Sequence, residues 1–418
     1  MARTLTPVDA HQIMNLLLRQ ATGEQALTVT DTSSFISAGE LVMATGMENV
    51  TNSVSIVMNR LIVASRAYNA RMRIVQTDEV GSYSNRARKI SFYSQNALPD
   101  GSHNTNLFTN LAAGYTSGDN GGASTKSQWE QHPAMPLEMN FAGTNVWQHC
   151  ITMYEDQLKI AFRSEEEFNR FVAGYLQEHA NDIEQEREGF YRALLLNRIG
   201  MTFDMTADMP GALVDLTSAF NTFYGTSYTT AQLLSTYLKE FSAFFTAQVK
   251  MYSDYMENRS VNFHWSVPKT VGGDTFNILR HTPKRDQRLA IYAPYFRMTE
   301  ALVMPEIFNP QYLSIENYEP VTFWQAEASK DAINITPAII ETDSTDPAYG
   351  TQIQGSAVAE DHIIAVLFDR DAVFGELQLD RADSTPLEAR KHYRNVWNTF
   401  AKNGVSDPTE NFIVFYMS

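Results

Sequence analysis

The chain has 418 residues, 44% hydrophobic and 19% charged, enough to bury one large core or two to three domains of ordinary size. Lys and Arg number 32 against 48 Asp and Glu, and the resulting formal charge of -16 is repelled by phosphate backbones, which excludes affinity-driven nucleic-acid binding. A single cysteine, Cys150, excludes a disulfide framework and points to a reducing compartment, and no apolar run approaches the ~18 residues of a membrane-spanning helix.

The N-terminus opens on a helix: Thr6 caps it, Pro7 suits its first position, Asp9 sits in the first turn, and Gly23 stops it. Its start, MARTLTPVDAHQIMNLLL, has a short apolar core and no small-residue cleavage site, so it is not read as a signal peptide. A second helical piece is expected in ENVTNSVSIVMNRLIVASRAY, where Val50, Val54, Val57 and Leu61 recur at helical spacing. Neither piece has partners nearby, so residues 1–70 read as an arm that packs on something else.

Next, RMRIVQTDEVGSYS and RKISFYSQ alternate like the two strands of a hairpin. The polar stretch from Asn96 to Pro133 is too long for an ordinary loop and too poor in apolar residues to order itself. SEEEFNRFVAGYLQEHANDIEQEREGFYRALLLNRIG then predicts a helix on the order of 50 Å long, with a capping box at Ser164 and Glu167. A second long helix is expected in TTAQLLSTYLKEFSAFFTAQVKMYSDYMEN, on the stripe Leu234, Leu238, Phe241, Phe245, Val249, Tyr252 and Met256.

From Val261 the pattern mixes strands (QRLAIYAP, PVTFWQ) with a short helix (YFRMTEALV), and STDPAYGTQIQGSAVAED reads as a polar linker. The tail predicts an aromatic strand and a final apolar strand, NFIVFYM.

Chemistry is sparse. HIIAVLFDRDAVFG carries an apolar run that ends in Asp369 and Asp371, and VLFDRDAV resembles the first motif of haloacid-dehalogenase-type phosphatases. That motif should begin an α/β domain, whereas here too little chain follows to carry the remaining catalytic groups, so an acidic turn after a core strand is the preferred reading. No histidine pair has zinc-site spacing, Cys150 reads as an inert buried thiol, and VGGDTFN lacks the lysine of a phosphate loop. No catalytic, metal or cofactor-binding residue is assigned.

What remains is an arm, a polar excursion, a spine helix and an α/β segment closed by a terminal strand. That order resembles the Hong Kong 97-type fold of tailed-bacteriophage major capsid proteins. The similarity is most specific in ITMYEDQLKIAFRSEEEFNRFVAGYLQEHANDIEQEREGFYRALLLNRI and in HIIAVLFDRDAVFGELQLDRADSTPLEARKHYRNVWNTFAKNGVSDPTENFIVFYM. In the latter, Tyr393 and Trp397 occupy the places of a family Tyr-x-x-x-Trp strand. The resemblance covers most of the chain except the stretch 99–130.

The resemblance implies an α+β chain with an N-terminal arm (1–70), an extended β-hairpin loop (71–150), a peripheral domain with a long spine helix (151–262), an axial α/β domain (263–385) and return strands of the peripheral domain (386–418). It also implies a shell subunit that forms hexamers and pentamers around packaged DNA without sequence-specific binding. Such a subunit is made in the host cytoplasm and ends in the virion, with a separate scaffolding protein and a portal as partners. Encapsulin nanocompartments share the fold and are the alternative, though their chains tend to be shorter. Arg86, Arg88 and Lys89 on the loop are expected to face acidic surface on an adjacent subunit, with Glu165 and Glu166 as candidates.

Overall fold

The structure is a computed structural model that describes residues 14–15, 18–19, 29–30, 32–44, 72, 74–79, 86–94, 134–143, 145–154, 177–271, 274–302 and 318–418. The expected helix at 48–68, the polar stretch 99–130 and the capping box at Ser164 and Glu167 lie outside them. Of the first helix, residues 14–15 and 18–19 are helical, with Met14 and Leu18 fully buried.

In chain order come α1 (Thr32–Ala44), β1 (Gln76–Glu79), β2 (Arg86–Phe92), β3 (Pro136–Ala142) and β4 (Asn145–Tyr154). The spine helix α2 (Gln177–Asp204) leads to β5 (Leu213–Asp215), α3 (Leu216–Tyr224), α4 (Thr230–Leu233) and α5 (Leu238–Glu257). The mixed segment holds β6 (Lys269–Val271), β7 (Asp274–Phe276), β8 (Gln287–Tyr292), α6 (Ala293–Leu302) and β9 (Tyr318–Val321). Four short strands follow: β10 (Ile333–Ile335), β11 (Ala338–Ile340), β12 (Gln352–Gln354) and β13 (Val358–Glu360). The chain closes with β14 (Ile363–Asp369), β15 (Val373–Ser384), β16 (Tyr393–Ser406) and β17 (Phe412–Tyr416).

Two larger sheets organise this α+β fold. One runs β5-β17-β14-β8-β9 and is covered on both faces, which is why β14 is apolar along its length rather than alternating. Ile363, Val366 and Phe368 pack with Leu195 and Ile199 of α2, whereas Ile364, Ala365 and Leu367 join Phe241, Phe245 and Val249 of α5. The final strand divides the same way, with Phe412 and Val414 toward α2 and Ile413 and Phe415 toward α5.

The other sheet runs β1-β15-β16-β4 and rests one face on α2. Gly375 and Gly404 sit opposite each other across β15 and β16. A Cβ on Gly375 would lie 2.6 Å from Tyr191 Cε1, and one on Gly404 would lie 2.9 Å from Phe190 Cζ and would also strike Leu194. The paired glycines thus form a notch that seats the spine helix against the sheet. Trp147 closes it at 5.0 Å from Phe190, edge to face.

Several expectations need correction. The two strands read as one hairpin do not pair: β1 runs parallel to β15, and β2 pairs with β3 across the polar stretch. The long helix after Thr229 is broken. Thr229 and Gln232 form a capping box for α4, the amides of Thr236 and Tyr237 both return to Gln232 O, and α5 begins only at Leu238. Ser235 Oγ bonding to Ala231 O competes with continued helix there, and Tyr237 stacks on Tyr228 at 4.1 Å. The stretch 344–361, read as a linker, supplies β12 and β13, which pair with β11 and β10. Gly200 does not end the spine, which continues to Asp204. Helix α1 carries no matching expectation. Strands β15 and β16 form one hairpin, and β17 belongs to the sheet of β14.

The glycine notch makes a testable demand. Gly404→Ala should cost about 1–3 kcal/mol, because a packed helix cannot withdraw without opening the face it covers. Combining it with Leu194→Ala, which removes the struck side chain, should cost less than the two single changes added together. Urea unfolding of the three variants measures both, and strictly additive losses would contradict the notch.

Candidate functional site

The residues expected to make contacts lie on β2, and its alternation separates them. Arg88, Ile90 and Phe92 face outward, Ile90 being 54% and Phe92 58% exposed. Arg88 Nη2 donates to Glu138 Oε2 of β3 at 2.6 Å, in an exposed pair. Lys89, Ser91 and Tyr93 turn the other way, onto the body of their own chain. The side chain of Arg86 and both Glu165 and Glu166 lie outside the described residues.

Lys89 meets the turn between β16 and β17. Its ammonium pairs with Asp407 and Glu410 and donates to Thr409 Oγ1 at 3.2 Å. The turn, Asp407–Pro408–Thr409–Glu410–Asn411, is built by Asp407 Oδ1, which accepts from Thr409 N at 2.8 Å and Thr409 Oγ1 at 2.7 Å. Two arginines complete the cluster. Arg280 Nε lies 3.2 Å from Glu410 Oε1 and donates to Thr409 O at 3.0 Å, and its Nη2 donates to Ser91 Oγ at 2.6 Å. Arg198, fully buried on α2, donates from Nη2 to Glu410 O at 3.2 Å and lies over the Phe412 ring, 4.7 Å from its centroid.

Burial and pairing compete at each group. Burial brings Arg198 down to about 10, with Asp407 and Glu410 pulling it back, so it stays cationic. Burial pushes the Asp407 carboxyl up, but the Lys89 ammonium and the Thr409 donors together outweigh it and hold it below its ordinary value. At Glu410 burial prevails over Lys89 and Arg280, and the carboxyl lies above its ordinary value. Sequence reasoning singled out Lys89 and missed Arg198, Arg280, Asp407 and Glu410. The segment SDPTEN signals a turn, but its burial depends on elements distant in sequence.

The Asp369–Asp371 pair is the acidic turn that the sequence favours. Ala372 N donates to Asp369 O at 2.9 Å, and Asp371 N donates to Asp369 Oδ1 at 2.8 Å. Asp369 Oδ2 meets Thr282 Oγ1 at 2.7 Å, so both oxygens of this buried carboxyl are engaged. From Thr282 the contacts continue to Asn411 Nδ2 at 3.1 Å, from Asn411 Oδ1 to His264 Nδ1 at 3.0 Å, and from His264 Nε2 to Ile278 O at 2.9 Å. Burial holds the Asp369 carboxyl above its ordinary value and lowers buried His264 to about 4. Asp371 is exposed at the rim of an open cleft of about 750 Å³ that also takes in Arg259, Arg280, Arg370 and Asp286. Among the described residues no group of three or more His, Cys, Asp or Glu is arranged to hold a metal. Cys150 is half-buried opposite Trp397, and burial pushes its thiol up, away from a nucleophilic thiolate.

The family described as Phi29-like phage major capsid protein matches residues 141–416. Among solved structures, a chain from the capsid of Staphylococcus phage Andhra is similar at 12% identity, over 82% of this chain and 83% of that chain, with a TM-score of 0.49. A chain from the capsid of cyanophage P-SCSP1u is similar at 11% identity, over 82% of this chain and 86% of that one, with a TM-score of 0.43. One from the mature capsid of bacteriophage PhiM1 is similar at 11% identity, over 84% and 88%, with a TM-score of 0.42. No curated protein matches the sequence.

Two outcomes follow from the buried groups. Lys89→Met leaves Asp407 and Glu410 without their ammonium and should cost about 3–5 kcal/mol in chemical denaturation. A loss no larger than that of an exposed ion pair would show that the cluster does not anchor the ribbon. The second outcome concerns pH. His264 and His179 both lie at about 4 in the fold, against 6.5 for the free side chain. Between those values the unfolded chain takes up protons that the folded chain does not, so stability should fall as pH drops from 6.5 toward 4. His264→Gln, though less stable at pH 7, should lose less over that interval, and an unchanged slope in urea titrations would contradict the assignment.

Proposed function

Because the chain belongs to the family of Phi29-like phage major capsid proteins, we propose that its subunits join as hexamers and pentamers, with ribbon β2–β3 of one subunit lying on the next. The chain is the major capsid protein of a tailed double-stranded-DNA phage, a structural component of the virion whose copies associate into the shell. In this reading α2 is the spine of a peripheral domain, and the sheet of β14 with its helices is the axial domain. Residues 71–150 form the extended loop. A separate scaffolding protein and a portal complete the assembly in the host cytoplasm, and the enclosed DNA is held without sequence-specific contacts.

One observation carries the proposal: the ribbon is finished on one face and unfinished on the other. Lys89, Ser91 and Tyr93 tie it to its own chain, whereas Ile90 and Phe92 stand more than half exposed beside Arg88. Two neighbouring apolar side chains on the open face of a two-stranded ribbon lose free energy in water until another surface covers them. A neighbouring subunit, with Glu165 and Glu166 as partners for Arg86 and Arg88, is that surface.

Negative-stain microscopy of the purified chain should show ring-shaped oligomers or closed shells. Ile90→Ser with Phe92→Ser should leave the monomer folded, since both side chains are exposed, and abolish shell closure. Arg88→Glu should slow assembly more at low than at high salt, because screening weakens an exposed pair. Shells of normal size and rate from the double variant would overturn the proposal.

A further inference from the structure

The longest run of this chain without Asp, Glu, Lys, Arg or His is residues 216–238, in a protein whose residues are 19% charged and sum to -16. The run comprises α3, α4 and their connections, and about half of its residues are exposed. Phe223 is 72% and Tyr224 51% exposed at the end of α3, and Thr222, Ser227, Gln232 and Ser235 are exposed, uncharged polar residues of the same run.

This surface is rigid. Asp215 caps α3 by accepting from Thr217 N at 3.0 Å, and Gly225 ends the helix at φ 65. Phe223 packs on Tyr224 at 4.9 Å and on Phe244 at 5.9 Å, above the fully buried Leu233 and Phe241. Side chains held in this way lose little further freedom on association.

We propose that residues 216–238 are a homotypic contact, at which this segment of one subunit meets the same segment of the next. The proposal rests on the shell reading and names a surface separate from the ribbon. A polyanion that meets its own copy brings like charges together, and a like-charge juxtaposition in an interface costs several kcal/mol. A surface on which such a chain can meet itself is one that omits charge and offers aromatic rings, the two features that mark interface cores. A nucleic acid or an acidic protein would require cations, and the segment has none.

The test places one sign of charge on this surface in the full-length chain: Thr222→Lys with Ser227→Lys, and Thr222→Glu with Ser227→Glu. Both positions are exposed, so monomer melting should stay at the wild-type value. Each variant alone should lower shell yield ~10-fold or more at low salt, with partial recovery near ~1 M salt, where the screening length falls to ~3 Å. A one-to-one mixture of the two variants should regain part of the assembly, because opposite charges then meet at many of the contacts. Wild-type yields from either variant alone would overturn the contact and leave the shell reading standing. A Lys variant that assembles better while the Glu variant fails would overturn it too, since the segment would then face an acidic surface. A wild-type chain that stays monomeric under the same conditions would overturn both the contact and the shell reading.

Discussion

Two carboxylates removed from water, Asp407 and Glu410, hold this structure together by what they attract. They sit in the turn that joins the two larger sheets, and three cations gather there from three places: Lys89 from the ribbon and Arg280 from the segment before β8 pair with the carboxylates, while Arg198 from the spine helix donates to the Glu410 carbonyl. Burying a charge is costly unless a partner and hydrogen bonds offset it. Each element that supplies a cation is therefore fixed in place by the cost of withdrawing it. The ribbon's root, the spine and the final strand are joined by one cluster rather than by three separate contacts.

Around that junction the packing divides the labour. The sheet of β14 is covered on both faces and provides the apolar mass, with Phe241, Phe245 and Phe415 on one side and Phe368 and Phe412 on the other. The sheet of β15 and β16 is covered on one face, and the Gly375–Gly404 notch sets how closely the spine approaches it. Helix α2 touches both sheets, so its position relates one to the other.

The strongly acidic charge fits a protein that works at high local concentration among its own copies. It keeps free subunits apart by repulsion. Association must then draw on surfaces where charge is absent or paired, and exposed pairs add little each, about 0–1 kcal/mol. Weak contacts suffice in a shell because each is repeated in every subunit and all must form together. The histidine and carboxyl groups buried in the frame tie its stability to pH.

Local periodicity determined much of this protein. The apolar stripe on α5, the continuous run of β14, the closing strand β17 and the acidic turn at Asp369 and Asp371 were all legible in the sequence, because each is set by residues within a few positions of one another. The similarity of the spine and closing segments to phage capsid proteins was legible as well. Only the tertiary structure decided which strands pair, since β1 with β15 and β2 with β3 join residues far apart in the chain and alternation alone names no partner. It also decided that the apolar pattern after Thr229 breaks into α4 and α5, where side-chain hydrogen bonds and the Tyr228–Tyr237 stack overrode helix spacing. The ion cluster was hidden for the same reason as the strand pairing. Lys89, Arg198, Arg280, Asp407 and Glu410 look like ordinary surface charges in sequence, and only the folding of three distant segments onto one turn brings them together and buries Arg198, Asp407 and Glu410.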